Sequence, residues 1–190
     1  VQPALFAMGV GLAAVWRSLG VEPAAVVGHS VGEIAAAVVC GALTLEAGAQ
    51  LIAVRGQQIA SVTESGAMLS VQLPEAEVLE RLSPWSSTLT IGVVNSPESA
   101  VVSGEASAIA ELESRLQSDG VRCRRVNIGF AAHSAQMDGV LEGVSQALSS
   151  LCPSPSSVPF YSSVTGEVVS GDMLDAAYWC RNIREPVRFD

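Results

Sequence analysis

Charged side chains are scarce in this sequence. Only 15% of its 190 residues are Asp, Glu, Lys or Arg, against 49% that are hydrophobic, and the mean hydropathy is +0.40. Basic residues are scarcer still: 10 Lys plus Arg against 19 Asp plus Glu leave a net charge of −9. The one basic cluster, RCRR at 122–125, falls inside a segment that reads as a strand. Such a surface repels a polyanion, so no nucleic-acid partner is expected. Long apolar runs are missing too. Arg, Glu, Pro or Gly interrupts each one before it reaches the ~20 residues of a membrane-spanning helix, so no membrane partner is expected either. Residues 1–16 are apolar, but Gln2 and Pro3 open them, without a basic leader or a cleavage site, so they do not read as a signal peptide. The four cysteines, Cys40, Cys123, Cys152 and Cys180, lack metal-ligand spacing. They read as buried, reduced thiols of a cytoplasmic protein, and no metal is expected. Only two histidines are present, His29 and His133, and there is no internal repeat.

What is present is a strong pattern of elements. QPALFAMGVGLAAVWRSLG reads as a helix with Pro3 near its start and Gly20 after its end. Ala24 to Val27 read as a strand buried on both faces. A tight turn follows, then a helix from Val31 to Cys40 stopped by Gly41, and a helix from Leu45 to about Ser61 capped by Thr44. The middle of the chain alternates differently. Strands are predicted over 67–73, 89–95, 99–104 and 121–128, with helices over 74–82 and 106–120. This β-α-β-β-α-β order is the ferredoxin-like split unit, inserted in a larger α/β domain. After it come a loop into a helix, a strand pair around Thr165 and Gly166, and a helix stopped before Pro186. Arg188, Phe189 and Asp190 read as ending without a finishing element, and both ends look cut.

Residues 28–32, GHSVG, stand between an apolar strand and an alanine-rich helix. A G-x-S-x-G sequence in that context places serine on a strained strand-to-helix elbow, with its oxygen exposed at the positive end of the helix. The backbone N–H of Val31 is then a candidate oxyanion donor. The competing reading makes Ser30 an ordinary helix cap. A nucleophilic serine needs a base. His29 is its neighbour on the turn and is badly placed to face it. His133, in the apolar loop GFAAHSAQ, is the other candidate, unless it is a surface residue. Arg55 lies in the apolar helix AQLIAVRGQQIA, where a charge must find a partner or a wet cleft. It is either a snorkelling or ion-paired side chain or a bidentate clamp for a substrate carboxylate.

The segments QPALFA, WRSLGVEPAAVVGHSVGEIAAA, GALTLEAGAQLIAVR, VNSPESAVVSG, AAHSAQMD, YSSVTG and YWCRNIREPVRF occur in this order. Together they closely resemble the acyltransferase domain of modular type I polyketide synthases over essentially the whole chain. The malonyl-CoA:carrier-protein transacylases of fatty-acid synthesis are a more distant match. The resemblance implies an α/β-hydrolase-like large subdomain over 1–64 and 129–190, with the ferredoxin-like small subdomain at 65–128. It implies a ping-pong transfer from acyl-CoA to the phosphopantetheine thiol of an acyl carrier protein, with no bound cofactor and a ketosynthase as neighbouring domain. Ser30 matches the nucleophile, His133 the general base and acid, and Arg55 the arginine that pairs with a malonyl-type carboxylate. Val31 holds the oxyanion position through its N–H, and Gln2 matches a glutamine near the pocket. Asn182 lies in the segment whose backbone orients the histidine, so no acidic third member is needed. Asp138 and Asp119 are accordingly left without that role.

Two departures from the family pattern stand out. A G-Q-G loop that would precede this sequence, and the stretch that would follow Asp190, are not in it, so weak or no activity in isolation and an aggregation-prone surface are expected. Before the histidine stand Phe130, Ala131 and Ala132. This is nearer the Tyr-Ala-Ser-His of methylmalonyl-selective members than the His-Ala-Phe-His of malonyl-selective ones. Val31, however, replaces the glutamine usual in methylmalonyl types. One methyl group is worth only about 1–3 kcal/mol of discrimination. The balance favours a branched or atypical extender, with malonyl next. A thioesterase or other α/β-hydrolase would share the Ser and His but requires an acidic residue between them in chain order. A non-catalytic synthase domain is the remaining reading.

Overall fold

The computed structural model describes residues 1–63 and 65–190. In chain order the elements are α1 (Gln2–Ser18), β1 (Val26–Val27), α2 (Gly32–Val39), α3 (Leu45–Ala60), β2 (Gly66–Val71), α4 (Glu75–Leu82), β3 (Leu89–Ser96), β4 (Ser99–Glu105), α5 (Ala106–Ser118), β5 (Cys123–Arg125), α6 (Asp138–Ala147), β6 (Phe160–Tyr161), β7 (Val168–Val169), α7 (Ala176–Arg184) and β8 (Val187–Arg188). Local chemistry sets several of these bounds. Pro3 sits in the first turn of α1, where its missing N–H costs nothing. The Thr44 hydroxyl accepts from the Ala47 N–H at 3.1 Å and caps α3, as expected.

The described residues form two compact units. The first comprises Val1–Ser61 and Val140–Asn182. Its sheet has the order β1-β6-β7, with β1 parallel to β6 and β6 antiparallel to β7. The β6–β7 pair is the one expected around Thr165 and Gly166. Helices α1, α2 and α3 pack on one another, and α2 also packs on β1. Phe6, Ile34, Ala37, Leu51, Phe160 and Trp179 are buried in this unit. The Tyr178 ring meets Phe160 and Trp179 edge-on, at 6.4 and 5.3 Å between centroids. Along α1, Leu5, Met8, Leu12, Trp16 and Leu19 repeat every three or four residues and are exposed, an apolar stripe larger than scattered surface residues make.

The second unit comprises Val62–Gly139 and Ile183–Asp190. Its sheet has the order β5-β2-β4-β3-β8. The pairs β2–β5, β2–β4 and β3–β4 are antiparallel and, with α4 and α5, make the ferredoxin-like unit. Val78 and Leu82 of α4 and Ile109, Leu112 and Leu116 of α5 cover one face, over Leu69, Ile91, Val94 and Val102. Met68, Val93, Val101 and Val187 form a cluster on the other face. Strand β3 changes parity at a bulge: Ile91 pairs with Val102 but Val93 pairs with Val101, so Gly92 is the extra residue. Ile91 and Val94, three apart, therefore lie in one cluster.

Several features differ from the sequence expectation, and Val27, in a strand expected to be buried on both faces, is exposed. β5 covers only 123–125 of the predicted 121–128, because the Ile128 N–H turns back onto the Val126 carbonyl at 2.9 Å. Arg188, read as lacking an element, joins Val187 in β8, which pairs in parallel with Val93 and Val94. Residues 129–139 and 183–190 belong to the second unit. The Ser103 hydroxyl and β3 bind these segments to it. The expected boundary at residue 64 lies outside the described residues. Of the cysteines, Cys40 is buried, but Cys123 and Cys180 are half-buried and Cys152 is exposed, so burial does not extend to all four.

Candidate active site

The elbow at residues 28–32 is built by crowding. A Cβ on Gly28 would lie 2.3 Å from the Glu33 nitrogen and from the Gly32 carbonyl carbon, so no side chain fits there. A Cβ on Gly32 would meet nothing within 4 Å, and that glycine is not required by sterics. The Gly32 N–H closes on the His29 carbonyl at 2.9 Å and the Glu33 N–H on the Ser30 carbonyl at 3.0 Å. Ser30 is held at φ 52°, a left-handed conformation that costs a non-glycine residue about 1–3 kcal/mol. Gly28→Ala is expected to destabilise the chain by about 2–4 kcal/mol, read as a drop in the urea midpoint.

The helix-cap reading of Ser30 fails on this geometry. The residue flanking α2 is Val31, at φ −54° and ψ −25°, and no side chain caps that end. The Ser30 hydroxyl instead accepts from Arg55 Nη2 at 3.2 Å, and the Ser30 N–H donates to Ser163 Oγ at 3.4 Å. Val31 stands at the head of α2, just before the Gly32 and Glu33 N–H groups that close on the turn.

Arg55, on α3, is 3% exposed. Its Nη1 donates to Asn182 Oδ1 at 2.9 Å. Its Nε is buried without a hydrogen-bond acceptor among the described residues. Burial lowers its pKa to about 10, against the opposing pull of Glu33, so it remains a cation at neutral pH. The snorkelling reading therefore fails: the head group is as buried as the stem.

Sequence reasoning missed Glu33. It is fully buried on α2, and its carboxylate accepts from the Ser163 N–H, from Tyr178 OH at 2.8 Å and from Asn182 Nδ2 at 2.7 Å. Burial raises its pKa, and these three hydrogen bonds oppose the rise. The signal was available: Glu33 is the sole charged residue between Gly28 and Thr44, and an apolar helix does not hold a carboxylate without donors. Gln2, half-buried in the first turn of α1, stands outside this network; its Oε1 is buried without a donor among the described residues.

In the second unit, His133 is 4% exposed and held at φ 57°. Ser30 and His133 are the non-glycine residues with positive φ among the described residues. His133 Nδ1 lies 2.9 Å from the Glu185 carbonyl oxygen. A carbonyl only accepts, so Nδ1 carries the proton and Nε2 is the basic nitrogen. Glu185 follows α7, and Pro186 after it prevents the helix from continuing. The orienting group expected in this segment is thus the carbonyl of Glu185. Asn182 is a correction: its side chain bonds Arg55, Ser30 and Glu33.

The histidine loop is fastened to the sheet. The Ser103 hydroxyl donates to the Ala132 carbonyl at 2.5 Å, Ser134 Oγ to the Ala131 carbonyl at 2.7 Å, and the Ala131 N–H to Gln136 Oε1 at 3.0 Å. A Cβ at the Gly92 bulge would come within 3.3 Å of the Ala132 oxygen and 3.5 Å of the His133 Cβ. The bulge therefore sits against this loop. Ala132 packs on the Met68, Val93, Val101 and Val187 cluster, and Phe130 is half-buried. Asp138 pairs with Arg184 at 2.5 Å and Asp119 with Arg81 at 2.6 Å. Neither of these ion pairs involves His133. Ser103→Ala is expected to cost about 1 kcal/mol of stability, read in the same urea titration.

The sequence profile of the acyl transferase domain matches residues 1–190. The chain belongs to this family. It is 48% identical over 189 residues to erythronolide synthase EryA2 of Saccharopolyspora erythraea, covering all of this chain but 5% of that protein. Among solved structures it is similar to the acyltransferase domain from module 8 of the salinomycin polyketide synthase, with a TM-score of 0.96 and 49% identity over all of this chain and 45% of that one. It is also similar to a loading acyltransferase of the avermectin modular polyketide synthase, with a TM-score of 0.94 and 44% identity over 98% of this chain and 60% of that one. The chain thus spans a small part of the synthase and about half of the solved domains.

Proposed function

We propose that this chain carries the acyl-loading site of a polyketide synthase acyltransferase. Ser30 Oγ attacks the thioester carbonyl of an acyl-CoA while His133 Nε2 takes its proton. The C–S bond breaks, the proton passes to the departing CoA sulfur, and an acyl-Ser30 ester remains. The phosphopantetheine thiol of a carrier protein then attacks the ester carbonyl. His133 takes the thiol proton and returns it to Ser30 Oγ as the C–O bond breaks. The Val31 N–H, with the positive end of the α2 dipole behind it, stabilises the oxyanion of both tetrahedral intermediates.

The observation that carries this reading is Arg55. A buried guanidinium already rests on the Ser30 hydroxyl, and its Nε has no acceptor among the described residues. Nε and Nη2 form the side of the fork that takes a carboxylate in bidentate fashion. The acyl group is therefore a carboxylated extender, of branched or atypical form in keeping with Phe130, Ala131 and Ala132, with malonyl next. Gln2 is assigned to the pocket margin. The Glu185 carbonyl in place of an acidic partner for His133 argues against the hydrolase reading. The partners in this proposal are acyl-CoA, an acyl carrier protein and a neighbouring ketosynthase, in the cytoplasm. No described helix is long and apolar enough to cross a membrane.

Intact mass after incubation with malonyl-, methylmalonyl- and acetyl-CoA tests the proposal, on this chain and on a form extended at both ends. A carboxylated adduct lost in Ser30→Ala supports it. Loading of acetyl alone would remove Arg55 from the role of clamp. Release of free acid as fast as loading would favour a thioesterase.

A further inference from the structure

We propose that Glu33 is a positioning residue for acyl selection: its carboxylate fixes the Asn182 amide, and through it turns the Arg55 guanidinium toward the acyl group on Ser30. This rests on the acyl-loading reading above. The argument begins with what surrounds the carboxylate. A backbone N–H from Ser163, a phenol from Tyr178 and an amide nitrogen from Asn182 all converge on Glu33. The Tyr178 phenol is itself bonded to Ser162 Oγ at 2.7 Å, and that oxygen accepts from the N–H groups of Val164 and Thr165. The Ser162 proton is therefore directed to Tyr178, and the Tyr178 proton to Glu33. Every neighbour donates, so the group in the middle is an acceptor on both oxygens, which a carboxylate provides and an amide does not.

The consequence runs through Asn182. Its Nδ2 faces two acceptors, Glu33 Oε2 at 2.7 Å and the Ser30 carbonyl at 3.2 Å. The amide can then present only its oxygen to Arg55, and Oδ1 accepts from Nη1 at 2.9 Å. Reversed, it would set N–H against N–H. With Nη1 held in this way, Nη2 and Nε are the part of the guanidinium left to face Ser30 Oγ and an acyl carboxylate. The same carboxylate holds the main chain of Ser163, whose hydroxyl accepts from the Ser30 N–H. Nucleophile and clamp thus share one buried anchor, and that anchor need not touch the acyl group.

Glu33→Leu tests this. It is close to Glu in size and removes both acceptors, so Asn182 Nδ2 loses the 2.7 Å bond that fixes the amide, and Arg55 Nη1 loses a fixed partner. With intact-mass loading of the form extended at both ends as readout, the ratio of carboxylated to acetyl adduct is expected to fall at least about tenfold, more than acetyl loading itself falls. A ratio within twofold of the wild type overturns the proposal. If the extended wild type loads no acyl group, the acyl-loading reading fails separately. The crystal structure of Glu33→Leu then decides: a displaced Arg55 supports the positioning role, and an unchanged Arg55–Asn182 bond overturns it. Should Glu33→Leu not fold, Asn182→Ser keeps the carboxylate and cuts the link to Arg55. It is expected to lower the same ratio, and an unchanged ratio overturns the proposal.

Discussion

Ser30→Ala is expected to abolish acyl loading, by about 10⁴-fold or more in rate, because the residue supplies the oxygen that forms the ester. Intact mass measures this directly as the disappearance of every acyl adduct, carboxylated or neutral. Alanine keeps the left-handed backbone at φ 52° and leaves the close approach at Gly28 untouched, so the stability read from the urea titration should change by less than about 2 kcal/mol. The variant loses the hydroxyl that Arg55 Nη2 contacts at 3.2 Å, but the Nη1 bond to Asn182 remains. An adduct that persists in folded Ser30→Ala would place the nucleophile elsewhere, on one of the four cysteines or another hydroxyl.

Arg55→Ala is expected to reverse the preference among acyl groups rather than to stop loading. Removing one member of a buried charged pair costs about 2–5 kcal/mol, and each 1.4 kcal/mol is a factor of ten. Carboxylated loading should therefore fall by about 10²–10³-fold, while acetyl loading, which needs no counter-charge, changes little. Lysine should not restore it, since a single ammonium cannot reproduce the fork that bonds Ser30 and Asn182 together. The same ratio carries a pH dependence of definite sign. Burial lowers the Arg55 pKa to about 10, so the charge that holds the carboxylate is lost as the pH rises through that value. The ratio of carboxylated to acetyl adduct should fall there in wild type and stay flat in Arg55→Ala. Taking the ratio cancels thioester hydrolysis and every pH effect common to both acyl groups. A flat wild-type ratio would mean that Arg55 keeps its charge through this range.

Several parts of this molecule were legible in the sequence because they depend on near neighbours in the chain. The Thr44 cap, the Pro3 helix start and the hairpin between β3 and β4 each follow from two or three residues. The split β-α-β-β-α-β order was legible because the apolar period changes from about four to two at each junction. The bulge at Gly92 was less so. A strand with one extra residue changes which side chains share a face, and the partner strand alone reveals it. β8 was missed for a similar reason: Val187 and Arg188 follow Pro186 too closely to give a pattern of their own, and they form a strand only against Val93 and Val94.

The sequence by itself determined the chemistry on offer: one serine on a glycine-lined elbow, one histidine in an apolar loop, one arginine in an apolar helix, and a net charge of −9. It also carried the family resemblance, since whole motifs in order are a property of the chain alone. Only the tertiary structure decided what each group does with its neighbours. It removed Ser30 from the helix cap, gave Arg55 to Ser30 and Asn182, and supplied His133 with a main-chain carbonyl in place of an acid. It also turned Glu33 from an unremarked helix residue into the acceptor at the centre of three donors. The reason is distance along the chain. The bonds that set these roles join residues 25 to 152 positions apart, and a hydrogen bond has a direction that spacing in a sequence does not encode.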